Sequence, residues 1–229
     1  MTSRMRRIWW IALLAAYGCG QKEQPASAAQ SAPSQPAAAP VASPADPRPV
    51  IACFGDSLTA GLGLDAGQSY PDLLQKDLDR RGYHYRVANL GVSGDTSQDG
   101  AARLQIALEQ KPVIAIVELG ANDGLRGQPI ANTETNLSQI LEAFQKAGAQ
   151  VVLSGITLPP NYGPDYIHRF TRMYQDLAAR YKVKFIPFLL EGVGGHADLM
   201  QRDGLHPNAR GTQIVEATVF RAIQPLLRK

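Results

Sequence analysis

The chain has 229 residues, a length that suits one domain of ordinary size with a sizeable core. Its formal net charge is +3, but three arginines and no acidic residue fall within the first 18 residues, so the remainder of the chain is neutral. This balance gives no sign of the basic surface that nucleic acids require, and we expect no nucleic-acid partner.

Residues 1–18 have the build of a secretory signal peptide. The three arginines precede an apolar run at residues 8–16, which is too short to span a bilayer, and small residues follow it. Cys19 stands directly after Gly18, a small residue at the end of this apolar region, and this order resembles the cleavage box of a bacterial lipoprotein. We therefore expect an exported protein that is lipidated on Cys19 and anchored to a membrane facing the bacterial periplasm. Ordinary signal cleavage, with Cys19 merely nearby, is the alternative.

Residues 19–48 consist mainly of Ala, Pro, Ser and Gln. A segment of this composition cannot bury enough apolar surface to offset the entropy lost on ordering. We therefore predict a disordered tether here and a folded domain over residues 49–229. Behind a lipid anchor, such a tether would hold the domain clear of the membrane surface.

Short apolar runs alternate with stretches of helical spacing throughout the predicted domain. The apolar runs predict five strands, at residues 50–54, 85–90, 113–119, 151–153 and 184–188. Apolar side chains recurring three and four positions apart predict helices at residues 70–78, 101–108, 137–144 and 170–181, with a last helix beginning near Asn208. This alternation predicts an α/β fold, a three-layer α/β/α sandwich with a five-stranded parallel sheet.

Polar residues follow the first three predicted strands, where sheets of this kind bind their ligands. Ser57 follows the first strand at the entrance to a helix, a place that suits a nucleophile. Gly94 follows the second strand and could present a backbone N–H, and Asn122 follows the third strand with a side-chain amide. Both are candidate donors to an oxyanion. Taken singly, each of the three residues is equally well explained as a turn or helix-cap residue.

His206 differs from the other three histidines because a carboxylate, Asp203, stands three positions earlier on a turn. That spacing lets Asp203 hold one imidazole nitrogen while the other nitrogen takes a proton from Ser57. A helix-capping aspartate beside an incidental histidine is the alternative. The sequence shows no His-x-His or Cys pair at metal spacing, so we predict no metal site, and the chemistry needs no cofactor.

The order of these motifs resembles the SGNH (GDSL) hydrolase family, whose blocks are matched by residues 55–58, the Gly94 turn, residues 120–123 and residues 203–206. Further strings resemble the bacterial periplasmic multifunctional thioesterase/arylesterase/lysophospholipase group, at residues 93–97, 118–127 and 158–163. The resemblance implies a flavodoxin-like fold and a mobile loop at residues 124–127 that closes over an acyl chain. It also implies a triad and an oxyanion hole, the first formed by Ser57, His206 and Asp203 and the second by Ser57, Gly94 and Asn122.

The sequence therefore predicts hydrolysis of a small-molecule acyl ester or thioester through an acyl-enzyme on Ser57. We expect the loops that carry Leu125, Pro160 and Tyr162 to bind the acyl chain, and Asp56 to support the serine turn without acting as acid or base. One alternative is a carbohydrate O-acetylesterase acting on cell-envelope glycans. Another is a non-catalytic envelope-binding lipoprotein on the same scaffold, which would require a broken triad.

Overall fold

A computed structural model describes residues 46–229. The predicted signal peptide, Cys19 and the predicted tether up to residue 45 lie outside the described residues. Five strands form one parallel sheet in the order β2-β1-β3-β4-β5, with bounds β1 Val50–Gly55, β2 Arg86–Gly91, β3 Pro112–Glu118, β4 Gln150–Ser154 and β5 Lys184–Ile186. The predicted five-stranded parallel sheet is confirmed.

The strands alternate with helices along the chain. The helices are α1 Ser57–Ala60, α2 Tyr70–Arg80, α3 Ser97–Ala102, α4 Leu104–Glu109, α5 Ala121–Leu125, α6 Ile130–Lys146, α7 Pro164–Tyr181 and α8 Ala209–Ile223. Short 3₁₀ helices lie at Pro160–Tyr162 and Gln224–Leu226. None of the helices within the described residues has the length and apolar character needed to cross a bilayer.

Helices cover both faces of the sheet, as two neighbouring residues of β1 show. Cys53 and Phe54 point to opposite faces because side chains alternate along a strand. Cys53 lies beside Tyr70 of α2, whereas Phe54 packs edge-on against Phe144 of α6 with ring centroids 5.7 Å apart. α2 and α6 therefore lie on opposite sides of the sheet, and the predicted three-layer sandwich is confirmed.

Among the differences from the sequence-based prediction, two have a physical cause that the structure shows. The single helix predicted at residues 101–108 is wrong, because Arg103 leaves helical geometry between α3 and α4. Its guanidinium donates to the backbone oxygens of Leu90 and Gly55, each at 2.8 Å, and so joins the carboxyl ends of β2 and β1. β5 ends at Ile186, two residues before the predicted end, since Pro187 has no N–H to continue the ladder.

Candidate active site

Ser57 is the first residue of α1, directly after β1 and the capping residue Asp56. The Asp56 carboxylate accepts a hydrogen bond from the Leu58 N–H at 3.0 Å, so Asp56 supports the serine turn as predicted. Gly55 allows the helix to pass close over the strand end. A Cβ atom at this position would overlap Thr59 Oγ1 and would lie 2.6 Å from the Glu118 carbonyl oxygen. The two residues before Ser57 therefore both support the turn that presents the hydroxyl: Gly55 because it has no side chain, and Asp56 because it caps the helix.

His206 joins Ser57 to Asp203 across 149 residues of sequence. Its Nε2 atom lies 2.8 Å from Ser57 Oγ, and its Nδ1 atom lies 2.6 Å from Asp203 Oδ2. The other oxygen of Asp203 accepts the backbone N–H groups of Leu205 and His206 at 2.9 and 3.1 Å. The three side chains form one hydrogen-bonded line, with the carboxylate fixed to its own turn.

Asp203 is held in its ionised form. Partial burial raises the pKa of Asp203, but the hydrogen bonds from His206 and Leu205 lower it by more, so the pKa lies below its usual value. A carboxylate in this place fixes the imidazole tautomer with hydrogen on Nδ1 and leaves Nε2 free to accept a proton from Ser57.

Asn122 and the Gly94 turn are linked to each other and to the serine turn. The Asn122 amide donates to the Asp95 carbonyl oxygen at 2.9 Å and to Asp56 Oδ2 at 3.3 Å. Gly94 adopts a positive φ of 89°, which favours glycine, and its carbonyl oxygen accepts a hydrogen bond from Arg126 at 2.9 Å. Among residues 46–229, neither the Ser57 N–H nor the Gly94 N–H has an acceptor.

A cleft of about 480 Å³ opens beside these groups. Ser57, Asn122 and His206 line it together with mostly apolar side chains, among them Leu125, Ile156, Leu158, Pro160, Phe188, Leu190, Met200 and Leu205. Leu125 and Pro160, two of the residues predicted to bind the acyl chain, line this cleft. Tyr162 and Gly94 do not line the cleft. Tyr162 instead donates its hydroxyl to the Leu125 carbonyl oxygen at 2.7 Å and holds the end of α5 from behind.

The family of the chain follows from a comparison with known proteins. Residues 53–214, well over half of the chain, match the model of the GDSL-like lipase/acylhydrolase family. The chain belongs to this family. The predicted hydrolase family is therefore confirmed, and the match contains both Ser57 and His206.

Named relatives of this GDSL-like hydrolase are similar over most of their own length. An esterase, TesA of Pseudomonas aeruginosa, is 48% identical over 174 residues, which cover 76% of this chain and 87% of the relative. Thioesterase 1/protease 1/lysophospholipase L1 of Escherichia coli K12 is 41% identical over 175 residues, or 76% of this chain and 83% of the relative. A crystal structure described as TesA superimposes with a TM-score of 0.76 at 47% identity and covers 78% of this chain and 99% of its own.

Several residues that organise the site of this GDSL-like hydrolase were not predicted from the sequence. Glu118 lies buried behind Asp56, and Arg103 forms an ion pair with Asp95 at 2.5 Å beneath the Asn122 contact. The available signal for Glu118 was its charge, since it is the one acidic residue in the apolar run at residues 113–119. Nothing in the local sequence marks Arg103, whose partners lie in other elements.

No group of three His, Cys, Asp or Glu side chains within residues 46–229 is arranged to hold a metal ion. The three other histidines, His84, His168 and His196, are all exposed. Among the described histidines, His206 is the one that hydrogen-bonds to other reactive side chains.

Proposed function

We propose that this GDSL-like hydrolase is a serine esterase that cleaves acyl esters or thioesters, with Ser57 as nucleophile, His206 as general base and Asp203 as the residue that orients it. The observation that carries the proposal is the pair of short contacts from His206, 2.8 Å to the Ser57 hydroxyl and 2.6 Å to the Asp203 carboxylate. The names esterase, thioesterase and lysophospholipase given to its relatives support the same reaction class.

The reaction proceeds in two steps with His206 transferring the proton in both. His206 Nε2 takes the Ser57 proton as Oγ attacks the carbonyl carbon, and the carbonyl oxygen becomes an oxyanion. The C–O or C–S bond to the leaving group then breaks, and His206 returns the proton to the departing oxygen or sulfur. Water attacks the acyl-enzyme in the same way and gives its proton to His206, which passes it to the departing Ser57 oxygen as the acid is released.

The oxyanion is bound by the backbone N–H groups of Ser57 and Gly94 and by the Asn122 amide. The two N–H groups are without acceptors in the described part of the chain, so no hydrogen bond within the protein has to break for them to bind the oxyanion. The Asn122 amide keeps its 2.9 Å bond to Asp95, and the hydrogen in its longer 3.3 Å contact with Asp56 is shared with the oxyanion. Asn122 is therefore oriented before substrate arrives.

The cleft favours substrates with an acyl chain. Its wall beside Ser57 is made of aliphatic, proline and phenylalanine side chains, and Leu125 and Pro160 contribute to it. A carbohydrate acetylesterase would need a short pocket for the acetyl group and polar groups for a sugar, whereas the walls here are mostly apolar.

A panel of p-nitrophenyl esters tests this function. We expect kcat/KM to be higher for the octanoyl ester than for the acetyl ester, because the longer chain buries more apolar surface, at about 0.8 kcal/mol per methylene. Ser57→Ala should remove turnover of both esters and leave the thermal melting transition unchanged. A clear preference for acetyl esters, together with turnover of acetylated glycans, would instead support the carbohydrate esterase, and turnover by Ser57→Ala would reject the mechanism.

We further propose that the chain is exported and anchored through a lipid on Cys19, so that the enzyme acts at a membrane facing the periplasm. The support is the order of the first 19 residues, basic, apolar and then cysteine. The Ala, Pro, Ser and Gln composition of residues 19–48 supports a tether between this anchor and the domain.

A further inference from the structure

Glu118 lies directly behind the serine turn and has no contact with the cleft. It is the last residue of β3 and is 2% exposed. Its Oε2 atom accepts the Thr59 hydroxyl at 2.8 Å and the Asp56 N–H at 3.3 Å, so one carboxyl oxygen holds both the residue before Ser57 and the second residue after it. These two contacts join the end of β3 to the turn that presents the nucleophile.

The Glu118 carboxyl group also lies next to the Asp56 carboxyl group. Two carboxylates buried this close together cannot both be ionised, so the pair holds a proton. Burial raises the pKa of Glu118 well above its ordinary value, and repulsion from Asp56 adds to the effect. Burial raises the pKa of Asp56 to about 6, against the opposing effects of the Leu58 N–H, Glu118 and His206.

The proton therefore resides on Glu118 and the charge on Asp56. The Asp56 carboxylate faces His206 and accepts the Leu58 N–H and the Asn122 amide, whereas Glu118 faces the interior. The other titratable side chains near Glu118 are tyrosines, Tyr70 of α2 and Tyr174 of α7, and neither carries a positive charge. No cation within the described residues hydrogen-bonds to Glu118.

We propose that Glu118 is a positioning residue of this hydrolase: as a neutral carboxyl group it donates a hydrogen bond to the Asp56 carboxylate and so fixes the Ser57 turn and the Asn122 amide. The proposal rests on the esterase function proposed above, because the positioned groups are its nucleophile and one of its oxyanion donors. If Glu118 merely filled space, an apolar side chain of similar size at this position would support the same kcat once the chain had folded.

Two substitutions in the full-length chain separate these roles. Glu118→Gln removes the ionisable group but keeps an oxygen for Thr59 and Asp56 N–H and an N–H for the Asp56 carboxylate. Glu118→Leu has a similar volume and keeps none of these hydrogen bonds. Glu109→Leu makes the same change at an exposed glutamate on α4 and serves as the matched control.

We expect Glu118→Gln and Glu109→Leu to retain the wild-type kcat on p-nitrophenyl octanoate. Glu118→Leu should lower kcat about 10- to 100-fold, the size of one hydrogen bond to a charged group, with KM unchanged because Glu118 does not line the cleft. A folded Glu118→Leu variant with wild-type kcat would overturn the proposal, as would a Glu118→Gln variant whose kcat falls tenfold or more.

The melting transition of each variant shows whether it folds. If Glu118→Leu fails to fold, Glu118→Met, with an unbranched apolar side chain of similar length, takes its place with the same expected loss of kcat, and a folded Glu118→Met variant with wild-type kcat overturns the proposal. If the wild-type enzyme hydrolyses the ester and the folded Glu118→Leu variant is equally active, the role of Glu118 is rejected and the proposed function stands. A wild-type enzyme without ester turnover rejects the proposed function and this inference together.

Discussion

At the scale of single residues, Asn122 shows how the site is prepared before substrate binds. Its amide contacts the loop after β2 through Asp95 and the serine turn through Asp56. Asp95 is itself paired with Arg103, whose guanidinium also contacts the ends of β1 and β2. A donor held by this many fixed groups needs little reorganisation when the oxyanion forms, and that is the condition for strong electrostatic stabilisation.

Asn122→Ala should therefore reduce kcat on p-nitrophenyl esters by about 100-fold, the cost of removing one oxyanion donor, or about 3 kcal/mol. The loss should appear in kcat more than in KM, because the bond to the oxyanion strengthens as charge develops. Asn132→Ala, at an exposed asparagine of α6, is the control and should be unaffected. A kcat for Asn122→Ala equal to that of the control would remove Asn122 from the mechanism.

At the scale of secondary-structure elements, the site is built where three adjacent parallel strands end. β1 lies between β2 and β3, and these strands lead into the turns that carry Ser57, Gly94 and Asn122. The alternation of strand and helix predicted this arrangement, because parallel strands bring their carboxyl ends to one edge of the sheet. Local sequence patterns were therefore enough to predict the five strands, their parallel arrangement and the closeness of the three residues to one another.

The parts that escaped prediction depend on contacts between distant segments. The helix predicted over residues 101–108 breaks because Arg103 bonds to Gly55 and Leu90 oxygens, which local periodicity does not report. Tyr162 faces the Leu125 backbone, since its hydroxyl finds a carbonyl there, and the cleft wall is left to Pro160 and its neighbours. The local sequence places Glu118 in an apolar strand, and its burial beside Asp56 becomes visible only in the folded structure.

At the scale of the whole molecule, the site lies at the far end of the strand by which the described chain enters the sheet. β1 begins at Val50, shortly after the predicted tether, and ends at Gly55 beside the serine turn. Its six residues span about 20 Å at the usual strand rise. The point where the described chain enters the sheet and the cleft therefore lie at opposite ends of β1.

Substituting the predicted lipid site tests the proposed anchor in cells. Cys19→Ser should move the protein from the membrane fraction to the soluble fraction of a bacterial host, because the acyl chains that hold it would be absent. The kcat on a soluble p-nitrophenyl ester should not change, since Cys19 lies outside the catalytic domain. Cys53→Ala, at the other cysteine of the chain and fully buried, should not relocate the protein. Equal membrane fractions for Cys19→Ser and wild type would reject the anchor.

The most direct test of the account is to locate the covalent intermediate with a p-nitrophenyl alkylphosphonate, followed by intact-mass and peptide-mapping mass spectrometry. The Ser57 hydroxyl attacks phosphorus and p-nitrophenolate leaves, so the account predicts one phosphonyl group per chain on the peptide that contains Ser57, formed in step with the loss of esterase activity. The Ser57→Ala variant should take up none. Complete inactivation with the label on another residue, or full activity with Ser57 labelled, would contradict the account.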